Sequence, residues 1–111
     1  MTKDIESINS IQQNLMTGRI LPTTAVTDRA VLSGYYSFYS QQLEEILMRK
    51  PNMWLHLRQS HKSDKATDRA YEMTEDGLNE LGLTMRMKRL EKMMSALKTI
   101  IDTANVQWQH A

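Results

Sequence analysis

The side chains able to do chemistry in this 111-residue chain are few, and their spacing argues for binding rather than catalysis. No cysteine occurs, which removes thiolate nucleophiles, disulfides and cysteine-based zinc sites together. His56 and His61 stand five residues apart. On a helix of 3.6 residues per turn that spacing turns them about 140° from one another, so they do not form the i, i+4 pair of a zinc helix. Asp64 could complete a loop-borne metal trio with them, but the pattern carries no further ligand. No glycine-rich phosphate loop and no nucleophile elbow is present. The chain reads as a protein without enzymatic activity and without a cofactor.

A binding surface has more to build on. Arg49, Lys50, Arg58, Lys62, Lys65 and Arg69 fall within 21 residues, around the polar run Gln59-Ser60-His61-Lys62-Ser63-Asp64-Lys65. Trp54 lies in the same stretch, with His56 and His61 nearby. Cations combined with hydroxyl donors and an aromatic ring are what a phosphate backbone with exposed bases requires. Arg86, Lys88, Arg89 and Lys92 could extend this surface from the last helix. The cluster Tyr35-Tyr36-Ser37-Phe38-Tyr39 places four aromatics in five residues, too many for one core face. At least one tyrosine is expected to look outward.

Net charge is +1, so bulk electrostatics name no partner, but the charge is segregated. Residues 49–69 sum to +4, residues 72–80 to −4 and residues 86–98 to +4. The acids Glu72, Glu75, Asp76 and Glu80 can pair with a basic block, or they can form an acidic face of the kind a DNA-mimicking inhibitor presents to a protein. Three functions are therefore weighed: a nucleic-acid-binding accessory protein, a protein-binding inhibitor, and an assembly component.

These residues need a scaffold, and the scaffold reads as all-α. Only two prolines and four glycines occur, β-branched runs are missing, and nine methionines offer an adaptable core. Met87, Leu90, Met94, Leu97, Ile101, Ala104 and Trp108 recur at alternating steps of three and four, one seam of an amphipathic helix over three heptads. The expectation is a helical hairpin or bundle whose long C-terminal helix serves self-association, with Trp108 buried between copies. A first helix is expected over 2–16, stopped by Gly18, followed by a linker over 17–27 that contains Pro22. Residues 1–27 then stand apart from a helical body over 28–111. Thr27 is the expected N-cap of a helix that Pro51 ends or kinks. Residues 51–62 alternate ambiguously and are assigned to helix. Ser63 or Asp64 caps a helix over 64–81, and Gly82 marks a kink or turn before the last helix. No apolar run approaches the roughly 20 residues of a membrane span. No secretory leader is recognisable, so a cytoplasmic location is expected.

One layout is similar. A tyrosine-bearing helix, a Trp/Leu/Arg segment, the run Lys62-Ser63-Asp64-Lys65-Ala66-Thr67-Asp68-Arg69-Ala70-Tyr71 and the closing run Lys88-Arg89-Leu90-Glu91-Lys92-Met93-Met94-Ser95-Ala96-Leu97 occur in order. Over residues 28–108 this order resembles small phage helical proteins related to the UvsY-type recombination mediators. The resemblance implies a protein that oligomerises through its C-terminal helices and binds single-stranded DNA through basic residues. It further implies loading of a RecA-like recombinase over single-strand-binding protein. The positions matching that family's central basic segment are Arg58, Lys62, Lys65 and Arg69. The N-terminal helix and the Leu21-Pro22 segment have no counterpart in it. The expected partners are single-stranded DNA, a second copy of the chain, and a protein: recombinase, single-strand-binding protein or host enzyme.

Overall fold

In the computed structural model the backbone is described for residues 2–110 and the side chains for residues 3–107. Four helices follow in order, α1 (Thr2–Thr17), α2 (Pro22–Arg58), α3 (Asp64–Glu72) and α4 (Glu75–His110), with no strand among the described residues. None of these helices is long and apolar enough to cross a membrane. The chain is thus all-α and bundle-like, with a long C-terminal helix.

Local chemistry explains most of the helix ends. Gly18 closes α1 at φ 66°, a left-handed conformation that glycine adopts without a Cβ penalty. Its N–H reaches the Leu15 carbonyl at 3.3 Å and the Arg19 N–H reaches Asn14 at 3.1 Å, the paired bonds of a Schellman stop. Ser63 caps α3 from an extended backbone (φ −145°, ψ 162°), its hydroxyl accepting from the Ala66 N–H at 3.1 Å.

Three expected boundaries are corrected. The linker over 17–27 shortens to 18–21, because α2 begins at Pro22 and not at Thr27. Proline suits a first helical position, where no N–H is needed, and the Leu21 carbonyl accepts the first helical bond, from Ala25 at 2.8 Å. Thr27 sits inside the helix and bonds back to the Thr23 carbonyl at 3.5 Å. The small helical penalty of threonine is offset by Ala25 and Leu32, which the extended helix buries completely. Pro51 does not end α2, which runs on to Arg58, so residues 51–58 are helical.

The third correction moves the break between the last two helices from Gly82 to Met73-Thr74. Thr74 accepts the Gly77 N–H at its hydroxyl (3.0 Å) and the Leu78 N–H at its carbonyl (2.9 Å), which makes it the N-cap of α4. Glu75 and Asp76 follow in the first turn, where carboxylates suit the positive helix end. Gly77 is buried, and a Cβ built there would run into the Tyr71 carbonyl oxygen and come within 2.9 Å of the Glu72 Cα, so the position has no room for a side chain. Gly82 lies within continuous helix with open space around it.

The chain divides into two compact units, and both α2 and α4 contribute to each. The first holds residues 1–37 and 88–111, the second residues 38–87. In the first unit Ile8 and Ile11 of α1, Ala25 and Leu32 of α2, and Leu90, Met93 and Leu97 of α4 are buried. Arg89 secures α1 there, donating from Nε to Gln12 Oε1 (2.6 Å) and from Nη2 to Asn9 Oδ1 (2.7 Å). The N-terminal helix is accordingly a packing element of that unit. In the second unit Tyr39 and Ile46 of α2, Thr67 and Tyr71 of α3, and Leu83 of α4 are buried. The Thr67 hydroxyl is satisfied by the Ser63 carbonyl at 2.8 Å.

Candidate nucleic-acid interface

The candidate surface lies in the second unit, where α2 ends and α3 begins. The chain leaves α2 through a tight turn, with the Ser60 N–H on the Leu57 carbonyl at 3.0 Å and the His61 N–H on the Arg58 carbonyl at 3.3 Å. Arg58 staples the turn, donating from Nη1 to the His61 carbonyl at 2.6 Å and from Nε to Asp64 Oδ1 at 3.0 Å. His61 donates from Nδ1 to the Leu57 carbonyl at 2.7 Å. Since His61 is directed to a carbonyl and Asp64 to an arginine, the His56, His61, Asp64 trio does not converge. Among the described residues no group of three or more such side chains could hold a metal.

Seven residues were expected to contact nucleic acid, and they separate into two sets. Arg49 forms a two-pronged ion pair with Asp76, Nη2 to Oδ1 at 2.9 Å and Nε to Oδ2 at 3.1 Å. Lys50 reaches Glu80 Oε1 at 3.1 Å and lies 4.8 Å above the Tyr71 ring. The Trp54 indole N–H donates to Asp68 Oδ1 at 2.7 Å, and Arg58 is held as described. These four have acidic partners within the same unit. Lys62, Lys65 and Arg69 are exposed and have no ion pair or hydrogen bond among the described residues. They flank the Ser63 cap, with Lys65 and Arg69 one helical turn apart on α3.

The acidic block is thereby explained in part. Asp76 and Glu80 neutralise α2, while Glu72 and Glu75 remain exposed. The hydrogen bond from Arg49 holds the Asp76 carboxyl below the usual carboxylate range, and the same bond raises Arg49. Burial, reinforced by the adjacent Glu80 carboxylate, pushes the Tyr71 phenol up to about 12. Its hydroxyl donates to Glu80 Oε1 at 3.2 Å.

The aromatic cluster also resolves. Tyr39 is buried, with the Arg86 guanidinium 5.6 Å from its ring centre. In the first unit the Tyr36 hydroxyl donates to Glu91 at 2.7 Å, and that carboxylate raises the phenol above its ordinary value. Phe38 is 53% exposed, while Tyr35 and Tyr36 are half-buried and keep part of their rings at the surface. Of the basic flank of α4, Arg86 and Arg89 are engaged within their own units, and Lys88 and Lys92 are exposed.

The seam expected for self-association is distributed unevenly. Leu90 and Leu97 are 1% and 0% exposed within one chain. Met87, Met94, Ile101 and Ala104 are half-buried, and Trp108 lies outside the described side chains. Met94 and Ile101 line an open groove with Val26, Arg29, Ala30 and Ser33 of α2.

Two features escaped sequence reasoning. The pairing of Trp54 with Asp68 joins residues 14 apart across a turn whose length was not legible. The cap at Thr74 was missed as well, although a hydroxyl residue followed directly by two acids is a signal that could have found it. Comparison with known proteins finds no matching protein family, no matching curated protein and no matching solved structure.

Proposed function

We propose that the chain is a phage or mobile-element accessory protein that binds single-stranded nucleic acid, in the manner of a recombination mediator. The observation that carries this reading is the contrast between paired and unpaired cations in the second unit. Four of its expected contact residues are matched to acids, whereas Lys62, Lys65 and Arg69 stand exposed and unmatched among the described residues around one capped helix start. Lysine and arginine kept in water at a short polar turn suit a flexible phosphate chain, which demands no deep groove and no fixed duplex geometry. The layout resemblance supports the same reading, with Lys62, Lys65 and Arg69 as its matching positions. Arg58 is the fourth matching position, and its pairing with Asp64 gives it the role of shaping the turn.

The test is titration of fluorescent single-stranded DNA with the full chain at two salt concentrations. The Lys62→Glu/Lys65→Glu variant should lose binding at least tenfold and keep its helical circular dichroism, because both side chains are exposed. If that variant binds as tightly as the parent, the reading fails. The loading of a recombinase, and the partners that this implies, would then be tested by capture of a RecA-like protein on DNA coated with single-strand-binding protein.

A further inference from the structure

The second unit carries an apolar strip that the chain itself leaves uncovered. Leu47, Met48 and Leu55 of α2 are 46%, 74% and 59% exposed, and Pro51 between them is exposed as well. Two shallow hollows lie along the strip and share Leu47. The larger, about 490 Å³, is walled by Pro51, Trp54 and Leu55 with Lys50 and Asp68 at its rim. The smaller, about 410 Å³, reaches back to Glu44. At 100° per residue, positions 44, 47, 48, 51, 54, 55 and 58 fall within an arc of about 120°. Tyr39 and Ile46, which are buried, project from a different side of the same helix.

We propose that this face of α2 pairs with the same face of a second copy, antiparallel, about a two-fold axis passing beside Pro51. The order of residues along the strip is the main argument. An antiparallel pairing centred on Pro51 sets Leu47 of one copy opposite Leu55 of the other, Met48 opposite Trp54, and Glu44 opposite Arg58. Each contact occurs twice. Apolar groups meet apolar groups at the centre, and an acid meets a base at both ends. A closed two-fold interface requires such self-complementarity, whereas an unrelated partner has no need of it. Arg58 keeps 40% of its side chain exposed beside Asp64, so it can serve both carboxylates. Trp54 then belongs to this contact: its N–H is fixed by Asp68 and its ring lines the larger hollow. The inference does not depend on nucleic-acid binding, since Lys62 and Lys65 lie outside the strip.

The absence of cysteine makes the arrangement testable with single introduced thiols in the full chain. A Pro51→Cys chain should form a disulfide-linked dimer under mild oxidation, because that position faces its own copy across the axis. Leu47→Cys and Leu55→Cys should cross-link when mixed and neither alone, each being about 12 Å from its own copy along the helix direction. Leu81→Cys, on an exposed part of α4, should remain uncross-linked. In light scattering the parent should show twice the mass of one 12.9 kDa chain. Leu47→Glu/Leu55→Glu should weaken that dimer at least tenfold with helicity retained. A parent of single-chain mass overturns the proposal. So does an assembly indifferent to the double substitution, or cross-linking at Leu81→Cys in place of Pro51→Cys.

Discussion

Gly77 shows how a single missing side chain sets the corner between α3 and α4. A Cβ there would collide with the Tyr71 carbonyl oxygen and press on the Glu72 Cα, both backbone atoms that cannot swing aside. Gly77→Ala should therefore destabilise the protein by about 2 kcal/mol in denaturant unfolding, in the range of overpacking. Replacing glycine in an open helix interior instead gains roughly 1 kcal/mol. Gly82 has that open setting, so Gly82→Ala should move stability in the opposite direction. Tyr71, beside this corner, gives a pH signature. Its phenol loses a proton near 10 when unfolded but holds it to about 12 when folded. The stabilisation is therefore complete below about pH 10 and is lost as pH rises toward 12. Tyr71→Phe should flatten the decline of stability across that interval, measured by unfolding in alkaline buffers. A decline unchanged by the substitution would assign it to another group.

At the scale of the element, the 87–108 seam was legible but its use was not. A repeat of three and four places apolar residues on one side of a helix without saying whether the neighbour is the same chain or another. Here α4 turns Leu90 and Leu97 onto α1 and α2 of its own unit, and leaves Met94 and Ile101 at the edge of a groove. Leu97→Ala should accordingly cost about 3 kcal/mol at any protein concentration, as expected for a fully buried leucine. Ile101→Ala should cost clearly less, because Ile101 is half-buried. If the Leu97 effect were to vanish on dilution, its burial would have to come from a partner. α2 had the complementary difficulty. Its threonines and Pro51 look like interruptions in the sequence, yet burial of Ala25, Leu32, Tyr39 and Ile46 along its length holds it as one helix.

For the molecule as a whole, a net charge of +1 cannot draw a polyanion from a distance, and any nucleic-acid binding must come from a local group of cations. Much of the segregated charge is consumed internally. Arg49 and Lys50 of the basic block meet Asp76 and Glu80 of the acidic one and Arg58 is held by Asp64, which leaves Lys62, Lys65 and Arg69 as the three exposed, unpaired cations among the described residues of that block. Three phosphate contacts on a single strand give a slope of about −2 in log affinity against log salt. All six cations of the 49–69 block would give about twice that slope. Measuring the slope for the full chain distinguishes these cases. A value near −4 would mean that the internal ion pairs open on binding.

Fold class, the Gly18 stop, the Ser63 cap and the amphipathic seam were all written locally, in residue types a few positions apart. Local backbone and periodicity rules act over that distance, and the structure follows them at each of these points. Pairings across long stretches of chain were not written there. Charge blocks announced that acids and bases would meet, but that Asp76 and not Glu75 receives Arg49 depends on the angle at which Gly77 lets α4 leave α3. Trp54 reads as a stacking platform until its N–H is found on Asp68. Which cations stay free, and which apolar face of α2 stays uncovered, follow from how the helices pack. Each buried contact removes one candidate from the surface, and packing sums contributions from residues far apart in the chain.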